Sequence, residues 1–362
     1  MLFLVTFKLN KDNIFDMPDW SIDIIITLIK IVVVELVLLT GVAYTVYAER
    51  RVSAFIQHRY GPNRVGYQGL LQPLADVFKL IMKEDIVPER ANKFVHSLAP
   101  AISLFVALST FAVIPFGDKI LIAGKEIKLQ IADVNIGVLY ILALLSLGVY
   151  GITLSGWSSN SKYSLLGGLR SSAQMISYEL SMGLAVLGLI LINSSFRLDT
   201  IVMNQYGWKW NIILQPIGFI TFLVASFAET NRTPFDLPEA EQELVGGYHT
   251  EYSSTKFALF FMAEYAAVIV SSAIITTLYL GGWQFPYLQT FGLPDMAVSI
   301  IQVLTFCGKT AFMVFFFIWV RWTIPRFRYD QLMNIGWKVM LPAALANLIL
   351  TAIVITIIKL NS

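Results

Sequence analysis

The sequence predicts an all-α polytopic membrane protein with about eight transmembrane helices and amphipathic helices on the cytoplasmic side. Three observations carry that prediction. Hydrophobic residues fill 56% of the 362 positions and charged residues only 14%, against about 25% charged in an ordinary soluble domain. Eight apolar segments approach or exceed the roughly 20 residues that cross a hydrocarbon core as a helix. The sequence lacks the alternating strands of a transmembrane barrel, and a backbone in lipid must then pair within its own segment.

The eight segments are 20–46, 95–117, 134–156, 171–193, 211–228, 256–282, 298–322 and 338–359. The fifth is short and runs straight into an acidic loop. An even number of spans puts both termini on one side of the membrane. The segments 47–94, 157–170, 229–256 and 321–338 hold 16 Lys and Arg, whereas the termini together with 118–133, 194–210 and 283–297 hold 8. The positive-inside rule places the first set in the cytoplasm and both termini outside it. The chain is expected to form one membrane domain, with an amphipathic cytoplasmic loop at 47–94 and an acidic cytoplasmic loop at 229–255. The loops on the opposite side read as simple connectors.

Composition excludes several functions. A net charge of +2, with no basic stripe interleaved by aromatics, argues against nucleic-acid binding. Cys307 is the single cysteine, so neither an internal disulfide nor a cysteine-ligated iron–sulfur cluster nor a structural zinc site is expected. His58, His96 and His249 lack metal-ligand spacing, and no Gly-rich phosphate loop follows a strand. Electron carriers, if the chain serves redox chemistry, belong to partners. The start MLFLVTFKLNKDN lacks a basic head followed by a small-residue cleavage site, so a removed signal peptide is not expected.

In the first cytoplasmic loop, apolar residues fall at 70, 71, 74, 77, 78 and 81, opposite Gln72, Asp76, Lys79 and Lys83. That spacing predicts an amphipathic helix lying in the membrane interface. Arg59 to Arg64 form a turn punctuated by Gly61 and Pro62. Two readings are open: a surface helix that anchors the loop, or a flap bordering a cavity for a lipid-soluble ligand.

Residues 229–251 hold six carboxylates, Glu229, Asp236, Glu239, Glu241, Glu243 and Glu251, opposed only by Arg232. Asp236-Leu237-Pro238-Glu239 has the form of a helix start, which accounts for Asp236, Glu239 and loosely Glu241. It does not account for Glu229, Glu243 or Glu251. Crowded carboxylates at a membrane boundary repel one another, and some then keep protons near neutral pH. A merely solvated acidic loop is the alternative.

Glu35, Glu179 and Glu264 lie within spans, where each charge costs roughly 2.5–3.5 kcal/mol on insertion scales. Glu179 shares a helix face with Ser172 and Gly183, and Glu264 is flanked by Ala263, Ala266 and Ala267, the mark of a tightly packed interior face. Glu35 has no polar neighbour on its own helix. A structural role would pair each with a cation such as Arg232, Lys30 or Lys309. Lys30, in one stripe with Asp23 and Thr27, has the alternative of snorkelling. The last basic loop, Arg321 to Asp330, serves either as a positive-inside anchor or as a docking point for a partner.

Taken together, AERR, QHRYGPNRVG, GLLQPLADVFKL, SYEL, ETNRTPFDLPEAEQELVGGYHTEY, FFMAEY and RWTIPRFRYDQL resemble the quinone-site membrane subunit of respiratory complex I. That family comprises the quinone-site membrane subunit of bacterial type-1 NADH dehydrogenase and subunit 1 of the mitochondrial enzyme. The resemblance runs from about residue 20 to the end. It implies a membrane-arm subunit of proton-pumping NADH:quinone oxidoreductase, not catalytic alone, in an energy-conserving inner membrane. Quinone is the implied substrate, with FMN and iron–sulfur clusters on partner subunits of the peripheral arm and further membrane subunits alongside. By the same resemblance, Glu49, Arg50, Arg59 and Asp76 border the quinone chamber. Glu179, Arg232, Asp236, Glu239, Glu241, Glu243, Glu251 and Glu264 form a charged route toward the membrane centre, and Glu35 is a possible addition. The alternatives are the related membrane subunit of an ion-pumping hydrogenase, an independent secondary transporter, and a passive assembly scaffold.

Overall fold

A computed structural model describes residues 19–122, 125–236 and 245–361. Helix α1, Asp19–Ile56, has 38 residues and is therefore about 57 Å long, well beyond a bilayer core. It carries the first predicted span and continues into the first basic loop. Leu38, Val42 and Val46 are buried along one side, while Leu28, Val32 and Leu36 face outward. Helix α2, Gln72–Met82, starts with Pro73 in its first turn, where a missing amide costs nothing. It falls within the predicted amphipathic stretch, and Leu74, Val77, Phe78 and Ile81 all face away from the rest of the chain.

Helix α3, Lys93–Phe111, is capped by the Asn92 side chain, which accepts from the Val95 amide at 3.3 Å. It packs on α4, Gly137–Ser158, which packs in turn on α5, Lys162–Asn193. The α4–α5 approach is close because Gly156 has no side chain. A Cβ there would sit 2.5 Å from the Ser164 carbonyl oxygen. The short helices α6, Leu198–Asn204, and α7, Asn211–Leu214, precede α8, Pro216–Glu229.

Helix α9, Ser254–Tyr279, is the centre of the fold. Its apolar window is 61% buried, the highest share among the candidate spans, and it packs on α1, α2, α3, α8 and α10, Asp295–Thr323. Val268, Val270, Ile274 and Leu278 of α9 share one core with Tyr178, Met182 and Leu189 of α5 and Phe222 of α8. The chain ends in α11, Tyr329–Asn334, a π-helical stretch at Ile335–Met340, and α12, Leu341–Asn361. Pro342 explains the wider turns before it: it has no amide to donate, and its ring crowds the carbonyl four residues back.

Among the described residues, six helices are long and apolar enough to cross a membrane: α3, α4, α5, α9, α10 and the stretch Tyr329–Leu360. The other two predicted segments are helical as well. One lies inside α1. The other, 211–228, is interrupted at Gln215, whose backbone leaves the helical region (φ −134°, ψ 63°) before Pro216 opens the 14-residue α8.

Two features depart from the sequence reading. The segment 118–133 is not a simple connector, because Lys119–Ile122 (β1) and Lys125–Lys128 (β2) pair antiparallel, Lys119 opposite Lys128. Lys125 from this hairpin meets Asp23 of α1 at 2.6 Å. Lys30 does not snorkel freely either. Its ammonium donates to the Gln130 carbonyl at 3.2 Å, which ties α1 to the strand-bearing segment.

Candidate functional site

The polar site starts at the turn after α8. Asn231 takes a positive φ of 48°, which asparagine tolerates, and its side-chain oxygen accepts from Ser171 at 3.1 Å and Gln174 at 3.4 Å. The same Gln174 amide donates to the Ala228 carbonyl at 2.8 Å. Held from α5 in this way, the turn sends Arg232 into the interior, where its side chain is 4% exposed.

Two carboxylates from two other helices meet it. Glu264 of α9 lies 2.8 Å from Nε, and Glu49 of α1 accepts from a terminal nitrogen at 3.1 Å. The guanidinium also lies over the Tyr265 ring, 4.1 Å from its centre. Glu49 in turn accepts from Arg321 of α10 at 2.5 Å. The result is an alternating line, Arg321, Glu49, Arg232, Glu264, drawn from three helices and one turn. Burial opposes the Arg232 charge, but Glu264, Tyr265 and Glu49 outweigh it and hold the guanidinium above the ordinary arginine range. Nearby, Arg326 donates to the buried Asp236 at 3.0 Å.

Two cavities meet at Glu264. One, about 130 Å³, is lined by Arg232, Arg321, His249, Tyr265 and three phenylalanines, Phe257, Phe260 and Phe261. Its walls combine apolar rings with fixed positive charge, which suits a flat, weakly polar ligand. The other, about 80 Å³, extends between α3, α4 and α9 and is lined by Glu229, Ser103 and Ser271 as well as Glu264. Glu229 interacts electrostatically with Glu179, and Glu179 accepts a hydrogen bond from Ser146. Carboxylates therefore follow one another from Glu49 through Glu264 and Glu229 to Glu179.

His249 ends a 3-10 turn, Gly247–His249, that seats on α5. Burial pushes its imidazole down to about 4, so the ring is neutral at physiological pH. Tyr252, stacked on His96 with ring centres 3.9 Å apart, has its phenol pushed up to about 12 by burial.

The structure sorts the residues singled out from the sequence. Glu49, Arg232, Glu264 and Asp236 come together, and Glu179 joins through Glu229. Arg50 pairs with Asp76 at 2.5 Å nearer the surface, which ties α2 to α1. Arg59 is exposed and donates to Gln57 at 2.8 Å. Glu251 is half-buried beside Tyr252, on the His96 side of the loop. Glu239, Glu241 and Glu243, and the helix start expected at 236–239 beyond Asp236 itself, lie outside the described residues. Glu35 has no ion pair among the described residues. Among the described residues, of the cations offered as partners only Arg232 serves a glutamate; Lys309 donates instead to the carbonyls of Leu280, Gly282 and Gln284 at 2.7–3.1 Å. Sequence reasoning missed the roles of Arg321, His249 and Tyr265. Arg321 stands at the boundary between the apolar segment 298–322 and the basic loop, where an anchor at the lipid interface accounts for it equally well.

Comparison with known proteins shows the family. Residues 29–352 match the family model described as NADH dehydrogenase. The chain is 55% identical over 336 residues to the NADH-quinone oxidoreductase subunit 8 of Rhodothermus marinus, covering 90% of this chain and 96% of that one. It is 54% identical over 308 residues to an NADH-quinone oxidoreductase subunit of Cytophaga hutchinsonii, covering 85% and 90%. An NADH-quinone oxidoreductase subunit of Flavobacterium johnsoniae is 49% identical over 329 residues, covering 90% and 94%. These names agree with the quinone-linked resemblance and not with the hydrogenase alternative.

Proposed function

The chain belongs to the NADH dehydrogenase family as a multi-pass membrane subunit, and we propose accordingly that it borders the quinone chamber of an NADH:quinone oxidoreductase and converts quinone reduction into a displacement of charge. The observation behind this reading is the line from Arg321 through Glu49, Arg232 and Glu264 to Glu229 and Glu179. It begins at the end of the molecule that bears the basic loops and passes into the middle of the helix bundle.

Glu49, Arg50, Arg59 and Asp76 stand at the chamber. The apolar face of α2, unpartnered among the described residues, supports its assignment as a flap beside a lateral opening to lipid. Quinone takes up two electrons and two protons to become quinol, and until the protons arrive the ring carries negative charge. At an effective dielectric of about 20, one unit charge 4 Å away is felt at about 4 kcal/mol, enough to redistribute protons among the carboxylates. Arg232 and Arg321 line the cavity nearest that charge and steady it. Glu264 changes partner strength with Arg232 as charge appears and passes the effect to Glu229 and Glu179. Asp236, Glu239, Glu241, Glu243 and Glu251 belong to the same acidic loop and form the feed of this route, with Glu35 outside its main line.

The electrons come from an iron–sulfur cluster on a partner, and FMN binds elsewhere in the assembly, since Cys307 alone cannot ligate a cluster. Peripheral-arm subunits dock on the basic loops, and neighbouring membrane subunits receive the charge displacement. The excess of Lys and Arg orients those loops to the cytoplasm of an inner membrane, with both termini on the other side.

The test replaces Glu179 and Glu229 with Gln, one at a time, in the assembled complex. Quinone reduction coupled to proton pumping is expected to fall in each variant while NADH oxidation by an artificial acceptor persists. Normal coupled turnover in both variants refutes the reading.

A further inference from the structure

Three helices that pack on one another, α1, α9 and α10, carry buried side-chain oxygens without hydrogen-bond partners among the described residues. On α1, Glu35 precedes Leu38, Val42, Thr45 and Glu49 by 3, 7, 10 and 14 residues, a spacing that keeps all five on one helix face. The other four are buried. Glu35 Oε2 is likewise shut off from solvent and accepts no hydrogen bond among the described residues. On α9, Ser272 and Thr276 follow Val268 by four and eight residues, are fully buried, and have hydroxyls without partners. On α10, Thr310 precedes Phe317 by seven residues, is 8% exposed, and its hydroxyl is also unpartnered.

The three helices are in register. Thr45, Val268 and Phe317 line one small cavity beside Glu49. At 1.5 Å per residue, Glu35 lies about 15 Å, Thr276 about 12 Å and Thr310 about 10 Å from that level, all toward the hairpin end. Gly41 keeps α1 against α9 here, where its missing Cβ would stand 3.4 Å from Ile269. Among the described residues, no cation reaches Glu35. Lys30 on its own helix is bound to the Gln130 carbonyl, and Lys309 of α10 is bound to three carbonyls and seated over Trp210. Cys307 of α10 is exposed. Glu264, Tyr265 and Lys256 of α9, and Asp76 and Lys79 of α2, lie toward the opposite end.

An uncompensated carboxylate at this depth costs roughly 2.5–3.5 kcal/mol, and a proton removes that cost. The two threonine hydroxyls each donate once and accept twice, so with the carboxyl they supply the two to four partners that an internal water requires. We propose that Glu35, Thr276 and Thr310 form an internal proton-holding site, in which a protonated carboxyl is joined through water to the two hydroxyls. Ser272, one turn closer to the Glu49–Arg232 cluster, connects the site to that cluster. The site does not rest on the quinone-linked reading.

Infrared spectroscopy of the assembled complex in membranes tests it. The wild type is expected to show the carbonyl stretch of a protonated carboxyl that moves on transfer from H2O to D2O. The band disappears in Glu35→Gln and changes frequency in Thr276→Val and Thr310→Val. Glu35→Asp retains a displaced band and serves where the Gln variant assembles poorly. An unchanged spectrum in Glu35→Gln overturns the proposal, as does a band that neither valine variant moves. A band that vanishes on addition of sodium also overturns it, because the occupant is then a metal cation. Coupling measured in the Glu179 and Glu229 variants bears on the quinone-linked reading alone, so the two fail separately.

Discussion

Replacing Arg232 with Met keeps the length and most of the volume of the side chain and removes its charge. Glu49 retains Arg321 at 2.5 Å, but Glu264 loses its only ion-pair partner among the described residues. Both members of the Arg232–Glu264 pair are largely buried, with side-chain exposures of 4% and 15%. Removing one partner of such a pair costs about 3–5 kcal/mol, because the other charge is left in a poorly hydrated interior. The loss of the guanidinium stacked over Tyr265 adds to that cost. Replacing Glu264 with Gln in the same chain removes the stranded charge, and the coupling between the two positions is expected at about 2–3 kcal/mol. The assay is thermal denaturation of the purified assembly for the wild type, both single variants and the double variant. Arg232→Met is expected to be the least stable, with the double variant recovering a large part of the loss. A double variant whose loss equals the sum of the two single losses contradicts this account, since the pair then contributes nothing beyond its separate members.

His249 sets a pH window. Its folded value of about 4 lies below the ordinary value of about 6.5, so the folded chain binds fewer protons there than the unfolded chain. The contribution is fully present above about pH 6.5 and is lost as pH falls toward 4, with a total on the order of 3 kcal/mol. The protection factors of amides 245–252, corrected for the slowing of chemical exchange in acid, are expected to fall across that range in the wild type and to lose the dependence in His249→Gln; equal slopes in both count against it. Gly167→Ala places a Cβ 2.8 Å from the Gly247 backbone, whereas Gly183→Ala meets nothing within 4 Å. The first is expected to destabilise the loop–α5 contact by about 1–3 kcal/mol and the second to leave the thermal midpoint unchanged. Equal behaviour of the two glycine variants is incompatible with the assigned contact.

Much of the architecture was legible because lipid imposes a coarse and strict rule. A segment must be long, apolar and helical to cross, and Lys and Arg pile up on one side. That logic placed α1, α3, α4, α5, α9, α10 and α12 and the amphipathic α2. It registered that the fifth segment is short but not that it is interrupted, since hydropathy does not register the break that Gln215 and Pro216 make in the backbone. It also missed the hairpin at 119–128, whose strands are four residues each and too short to give a clear alternating pattern.

The residue types of the site were equally legible. Glu264 and Glu179 stand out in sequence because ionisable groups inside apolar segments are costly, Arg232 because it alone opposes the six carboxylates of the acidic loop, and Glu49 through the family resemblance. Their pairing was not legible. Glu49 and Arg232 are 183 positions apart and Glu49 and Arg321 are 272 apart, and no local periodicity carries information over such distances. Arg321 read equally well as a lipid anchor until α10 was seen to bring it back onto α1. Residue order alone establishes a membrane-embedded helical chain with buried carboxylates and few cations to match them. Which carboxylate meets which arginine emerges only once the helices are packed. Ion pairing acts over a few ångströms, and proximity at that scale follows from how helices lie against one another, not from their succession along the chain.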